Sequence, residues 1–490
     1  MVDKGPVAVG IDLGTSSVKI VAVDERARAV GRTRRSYPTA RPEPGAAEQS
    51  PGDWLDAVSS ALGELSEHVD PQRWSTLGLS AMLPTLVELD RRGNPVGPAV
   101  TWEDGRAEQE GIRLREQLGP DQGYRLTGAR IDGRYLLPMH LRRVAVAHAD
   151  TDRRDEAVTV AGAKDFLFQA LTGELLTDPS TAAGFGCFDV ERRRWDESAR
   201  ELAGDVRLPE VAGSDHWRPL RAELARSLGC GRVPVVLGAA DSVLGAYGLG
   251  VGAAGQTAYI AGTSTVILAI SEHAVFDPQR RFLVTPMPGA GYGLEMDLLT
   301  TGSAQAWLAE LLGLSGDPAE VTALAGEAPL NAAPLFLPYL APGEQGALWD
   351  PRLLGALNGL TLGTSRAGLA RGLLAGIIVE SRRCLVALDG VARTRAPEPI
   401  CVSGSSATST LFLQDLADAT GRQVAVSAAE HDHSARGAAD WAARSALGWR
   451  LEPASPAALI EPDPLRKALW DDRAEAHDAM RRALYPEVVQ

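Results

Sequence analysis

Two segments about half a chain apart carry one pattern, and that repeat restricts the fold more than any other feature. "DLGTSSVKIVAV" begins at Asp12 and "IAGTSTVILAI" at Ile260, each a Gly-Thr-Ser turn between apolar runs. Val7 to Leu13 and Val18 to Val23 are apolar on both faces, which suits central strands covered from both sides. One such turn usually does no more than join strands. A pair implies two related halves, each offering a tight hairpin to a shared cleft. Amides freed at such turns, with Thr and Ser hydroxyls, make cradles for phosphate oxygens, and an aspartate leads the first copy. At 490 residues and 45% hydrophobic content the chain exceeds what a single core usually supports, so two domains are expected.

Elsewhere strand and helix patterns alternate. "LGLS" and "LVELD" read as strands interrupted by Met82, Leu83 and Pro84, and "EDGRAEQEGIRLREQLG" as a charged helix stopped by glycine. Pro399 to Ala428 reads as a strand, a Ser-rich turn, a helix through Leu411, Leu413 and Leu416, a Gly421 stop and a second strand. A net charge of −14 disfavours nucleic acid as a partner. Ser242 to Ile270 carries no charge, but six glycines and several hydroxyls make it buried strands and turns rather than a membrane span. Asp3 and Lys4 stand close before the first strand and leave no apolar leader, so a cytoplasmic protein is expected. Cys187, Cys230, Cys384 and Cys401 form no CxxC pair and read as buried free thiols. None of the four lysines follows a glycine, which excludes a Walker loop, and no third glycine completes a dinucleotide fingerprint after "VAVGIDL". Glu430, His431, Asp432 and His433 read as a solvated turn rather than a metal cluster, and Arg192 to Arg194 as a solvated face.

"GIDLGTSSVKIVAVD", "AGTSTVILAIS" and the strand-turn-helix with its downstream "SARGAADWA" resemble the phosphate hairpins and adenosine loop of the actin, sugar kinase and Hsp70 superfamily. Within it, "AVTWEDGRAEQE", "KDFLFQALTGELLTDPSTAAGFGCFDV", "PVVLGAADSVLGAYGLG", "TTGSAQAWLAELLG" and "FLPYLAPGEQGALWDP" resemble the FGGY carbohydrate kinases, nearest the xylulokinase-like branch. The resemblance implies an α/β fold of two actin-like (ribonuclease H-like) domains flanking a nucleotide- and sugar-binding cleft. Residues 1–250 are expected to form the first domain with the sugar pocket, 251–450 the second with the adenosine site, and 451–490 a helical extension. ATP and Mg2+ are the implied cofactors. The expected partners are a small sugar or polyol and a second copy of the chain in a homodimer, with no membrane.

Phosphoryl transfer to a hydroxyl needs a base, a metal to neutralise the triphosphate, and alignment. Asp241 is the only charge between Arg232 and Glu272 and matches the family's catalytic base. A carboxylate in so apolar a run is costly unless function retains it. Asp12, at the end of the first strand, matches the residue that holds Mg2+ through water. By resemblance Gly14, Thr15, Ser16 and Ser17 line the β- and γ-phosphates, with Lys19 either a phosphate contact or a solvated lysine. Gly262, Thr263, Ser264 and Gly302 hold the nucleotide from the other half, joined by Gln305, while Trp307 reads as core. The adenosine turn is Ser403-Gly404-Ser405-Ser406-Ala407, leading to Ser409, with serine replacing two of the family's glycines.

The sugar pocket departs most. Leu83-Pro84-Thr85 stands where xylulokinases carry a substrate-contacting Met-His-Gly, giving an apolar wall that points to a deoxy sugar, a cyclitol, or a ketose in another pose. Trp102 matches the pocket tryptophan and Ser242 follows the base. Met139 replaces a frequent lysine, with Arg134 or Tyr135 as substitutes; Gln345 replaces an arginine, and Gly368 and Ala375 replace acids. The expected function is ATP-dependent phosphorylation of a small sugar or polyol, a ketopentose such as xylulose first, the alternative being a weakened sugar or nucleotide sensor of the same fold.

Overall fold

The computed structural model describes residues 5–149, 159–202, 204, 206–341, 346–350, 352–391, 398–427, 432–451 and 455–488. Gln345, Glu430 and His431 lie outside them, as do Asp3 and Lys4. Two units emerge, Met1–Gly250 with Val284–Gly293 and Asp432–Pro453, and Val251–Leu283 with Leu294–His431 and Ala454–Gln490. This differs from the expected division. Residues 432–453 group with the first unit, and the end of the chain is part of the second unit rather than an extension.

The first unit's main sheet contains β1 (Val7–Leu13), β2 (Ser17–Asp24), β3 (Ala29–Ser36), β4 (Trp74–Ala81), β5 (Trp217–Pro219) and β6 (Pro234–Ala240), in the order β5-β6-β4-β1-β2-β3. β1 runs antiparallel to β2 and parallel to β4, and β4 is parallel to β6. The two faces of β1 explain its composition. Val7, Val9, Ile11 and Leu13 join one core with Trp54, Val58 and Leu65 of the Pro51–His68 helix. Ala8 meets Ala435, Ala439 and Ala443 of the His433–Leu447 helix, and Gly10 faces the same helix. Small residues stand where a backbone must come close: a Cβ on Gly10 would lie 1.8 Å from the Ala435 carbonyl oxygen, and one on Gly78 would lie 2.1 Å from that of Ala438. A smaller sheet joins Glu48–Gln49, Ala99–Thr101, Thr85–Leu89 and Thr159–Gly162 in that order.

The second unit repeats the layout. Its sheet carries β7 (Thr257–Ala261), β8 (Thr265–Ser271), β9 (Tyr292–Leu298), β10 (Ile400–Gly404), β11 (Val424–Val426) and β12 (Ala458–Ile460), in the order β12-β11-β10-β7-β8-β9. β7 and β8 form the antiparallel hairpin, β7, β10 and β11 are parallel neighbours, and β12 is antiparallel to β11 as β5 is to β6. The repeat visible in a dozen residues therefore extends over six strands, the expected α/β fold with two actin-like domains. Gly421, at φ 69°, ends the Thr410–Thr420 helix as its place in the sequence implies.

Among the described residues no helix is long and apolar enough to cross a membrane. Cys187 and Cys384 are buried, but Cys230 and Cys401 are only half-buried. Arg193 is not part of a solvated face: its guanidinium donates to the carbonyls of Gly289 (3.0 Å) and Gly291 (3.1 Å) and lies over the Tyr292 ring. Trp307 is 43% exposed rather than core.

Candidate active site

In open α/β sheets, ligands gather beyond the carboxyl ends of parallel strands. β1 ends with Asp12 level with Ser80 of β4, Ser80 is level with Ala239 of β6, and Asp241 follows at once as the first residue of the Asp241–Gly248 helix. Asp12 and Asp241 thus stand at one end of one sheet, two strand spacings or about 10 Å apart across it. Asp12 is 3% exposed, its Oδ1 accepts from the Ser80 hydroxyl at 2.8 Å, and its Oδ2 lies 3.8 Å from the Lys19 ammonium. Burial holds this carboxyl above the usual range, Lys19 and Ser80 pull it back, and Asp432 pushes it up again. A buried carboxylate with one distant ammonium and a second acid in its field is short of positive charge. Its oxygen donors suit Mg2+, which keeps most of its waters and needs only one or two carboxylates. Among the described residues no group of three His, Cys, Asp or Glu side chains forms a ready-made metal cage.

The turn after β1 is held from several sides. Gly14 N–H donates to the Ser17 carbonyl at 3.1 Å, the Tyr37 hydroxyl donates to the Gly14 carbonyl, and Tyr37 N–H donates to the Ser16 carbonyl at 3.2 Å. Gln49 Nε2 donates to the Thr15 carbonyl at 2.7 Å while its Oε1 accepts from Trp54 Nε1 at 2.9 Å. Trp102 Nε1 donates to the Thr15 hydroxyl at 3.0 Å, tying the expected sugar-pocket tryptophan to the expected phosphate turn. Burial, then the negative fields of Asp12 and Asp241, push the Tyr37 phenol far above its ordinary value, so it stays a neutral donor. Ser16 is exposed at the tip, but Ser17 is buried in β2, where its hydroxyl accepts from Arg34 Nε at 3.1 Å. Ser17 is thus engaged in holding strands together.

Asp241 Oδ1 accepts from Ser242 N–H at 2.9 Å, and its carbonyl accepts from the Ser434 hydroxyl at 2.9 Å. Leu83 and Pro84 are half-buried, with Leu83 filling the space that a side chain on Gly184 would need. Arg134 is half-buried and paired with Asp132 at 2.6 Å, while Tyr135 and Met139 are buried, so of the expected substitutes for the family's lysine only Arg134 keeps a partly exposed polar group.

In the second unit, Ala261 at the end of β7 is level with Gly404 at the end of β10. Gly404, at φ 90°, brings its Cα so near that a Cβ would lie 1.8 Å from the Ala261 carbonyl oxygen. Gly302 opens the Gly302–Leu311 helix against the hairpin turn, where a Cβ would lie 2.3 Å from the Gly262 carbonyl oxygen, and Ser303 N–H donates to the Thr263 carbonyl at 3.0 Å. The unit therefore gathers Gly262, Thr263, Ser264, Gly302, Gly404, Ser405 and Ser406 at the carboxyl ends of its strands. Two expected contacts are otherwise occupied. Gln305 is buried with its Oε1 taken by the Thr322 hydroxyl at 3.0 Å, and the Ser409 oxygen caps its helix by accepting from Phe412 N–H at 3.2 Å.

Residues 7–248 match the N-terminal domain of the FGGY family of carbohydrate kinases, and residues 257–446 match its C-terminal domain. The chain belongs to this family. Xylulose kinase of Klebsiella pneumoniae is 31% identical to this FGGY kinase, over 98% of each chain. Gluconokinase of Bacillus subtilis is 28% identical over 85% of this chain and 83% of its own. The crystal structure of ligand-bound xylulose kinase from Lactobacillus acidophilus superposes with a TM-score of 0.90 at 24% identity, covering 99% of both chains, and shares the fold. Relatives named for a ketose and for an aldonate match to similar degrees, so the likeness carries carbohydrate kinase activity and not the choice of sugar.

Proposed function

We propose that this kinase transfers the γ-phosphoryl group of ATP to a hydroxyl of a small sugar or polyol, a ketopentose such as xylulose first among them, with Asp241 as general base. The observation that carries the reading is the common placement of Asp12 and Asp241 at the carboxyl ends of β1 and β6, with the Gly14–Ser16 turn beside them. Asp241 accepts the hydroxyl proton as the sugar oxygen attacks phosphorus, while the turn amides and the Thr15 and Ser16 hydroxyls orient phosphate oxygens. Asp12, with Asp432 in its field, would hold Mg2+. When bound, the metal neutralises the phosphate oxygens. Leu83 and Pro84 give one wall of the sugar pocket, and Trp102 offers an indole face to sugar C–H groups. Gly262, Thr263, Ser264, Gly302, Gly404, Ser405 and Ser406 are the second unit's nucleotide contacts.

The test is a coupled ADP assay over ketopentoses, aldoses, alditols, cyclitols and aldonates, run beside Asp241→Asn. The variant is expected to bind ATP and lose at least about 10²-fold in turnover, the low end for a missing base. Equal turnover by both proteins on a responsive sugar would refute the assignment.

A further inference from the structure

A buried charge cluster stands directly behind Asp241, in the first unit, and the phosphoryl-transfer scheme does not use it. Lys164 is 1% exposed, and its ammonium lies 3.0 Å from Asp178 Oδ1 and 3.9 Å from Asp165 Oδ1. An ion pair this deep is a weak source of stability, because desolvation offsets its attraction. Its connections indicate another use. Lys164 Nζ donates to the Leu237 carbonyl at 3.2 Å. The Ser180 hydroxyl donates to Asp178 Oδ2 at 2.5 Å, which turns its lone pair toward Ala240, whose N–H donates to it at 2.9 Å.

Leu237 and Ala240 bracket an irregularity. The pairing of β6 with β4 shifts register between Val236 and Ala239, and Gly238 sits at φ 68° with room for no side chain, since a Cβ would lie 1.7 Å from the Leu79 carbonyl oxygen. A bulge removes ladder hydrogen bonds and re-aims whatever follows it. Here the freed Leu237 carbonyl is taken by an ammonium, and the last amide before Asp241 by a hydroxyl whose proton is held by a carboxylate. The first is a charge-assisted contact, stronger than a neutral one, and in the second the acceptor is polarised by the carboxylate it donates to.

We propose that Lys164, Asp178 and Ser180 are positioning residues that aim Asp241 by clamping the β6 bulge on both sides. The proposal rests on Asp241 being the base. A shift of about 1 Å in a reacting group costs up to about 10²-fold in rate, so removing one clamp is large enough to measure.

Ser180→Ala deletes the acceptor for Ala240 N–H, whereas Thr181→Ala deletes a hydroxyl that also donates to Asp178, at 2.6 Å, without touching β6. Both variants, wild type and Asp241→Asn are assayed with whichever of D-xylulose, gluconate and glycerol turns over fastest. Ser180→Ala is expected to lower kcat about tenfold while the KM for ATP moves less than about twofold, and Ser180→Thr, which keeps the hydroxyl, to restore most of the loss. Thr181→Ala is expected to stay within about twofold of wild type in kcat. Equal kcat in Ser180→Ala and Thr181→Ala, with Asp241→Asn inactive, overturns the clamp and leaves the base assignment standing. Full activity in Asp241→Asn overturns both. Should Ser180→Ala not fold, Ser180→Cys keeps the volume, weakens the acceptor and is judged by the same comparison.

Discussion

Replacing Gly78 by alanine tests whether the proposed catalytic end of the first unit depends on how closely the His433–Leu447 helix lies on its sheet. The added Cβ would lie 2.1 Å from the Ala438 carbonyl oxygen and 2.8 Å from Ala442 Cβ. Both neighbours belong to a helix whose inner side is Ala435, Gly437, Ala438, Ala439, Ala442 and Ala443, all buried, so no flexible side chain can swing away. Restoring ordinary contact requires the helix to retreat by roughly 1.3 Å, and gaps of about 0.5–1 Å already forfeit a quarter to a half of each dispersion contact. We therefore expect a loss at the top of the overpacking range, about 3 kcal/mol, or roughly 1 M in the urea midpoint at a slope of about 3 kcal/mol per M. Turnover should fall as well, about tenfold, because the helix's first turn holds the Asp241 carbonyl through Ser434 and its leading Asp432 acts on Asp12. Gly63→Ala is the matched control, since nothing lies within 4 Å of its added Cβ and it sits inside the Pro51–His68 helix. That change should stabilise by up to about 1 kcal/mol. Urea unfolding followed by circular dichroism, with kcat measured on the same samples, decides the matter. A Gly78→Ala protein with wild-type midpoint and turnover refutes the close-approach argument.

Two further outcomes follow from the buried carboxylates. Ser80→Ala removes a hydrogen bond that lowers the Asp12 pKa, so the acid limb of the kcat/KM profile should move to higher pH; a limb that stays put or moves down would show that Asp12 titrates elsewhere. Burial raises Asp165 from 3.8 to about 6, so its proton is held more tightly in the folded state; stability from this group is present below about 4 and lost as pH rises through 6. Asp165→Asn should remove that component, changing the stability difference from wild type by roughly 2 kcal/mol between pH 4 and pH 7; parallel midpoint curves for the two proteins would contradict it.

What the sequence made legible is local. A Gly-Thr-Ser turn between apolar runs defines a hairpin without reference to the rest of the chain, and Asp241 stands out because it is the only charge between Arg232 and Glu272. Tyr37, Gln49 and Ser80 were invisible for the opposite reason. Each is an ordinary polar residue whose role appears only when strand register or a return of the chain brings it to the turn. Its place in a hydroxyl run assigns Ser17 to phosphate, yet it is buried at the start of β2 with its hydroxyl accepting from Arg34. The clamp behind Asp241 needs a helix from residues 163–172, a turn at 178–180 and a bulge at 237–238, a conjunction with no local signature. Gly10 and Gly78 carried no pattern because the partner that requires them lies more than 350 residues away.

That last separation bears on how the protein is made. The Ala-rich helix that covers the glycine-lined side of the first sheet leaves the ribosome roughly 200 residues after β6, about 10–40 s later at ordinary rates of synthesis. Until then the nascent amino-terminal half must keep that side open. A polypeptide stopped near residue 250 should therefore be prone to aggregation, and supplying residues 432–453 in trans is the natural way to close it.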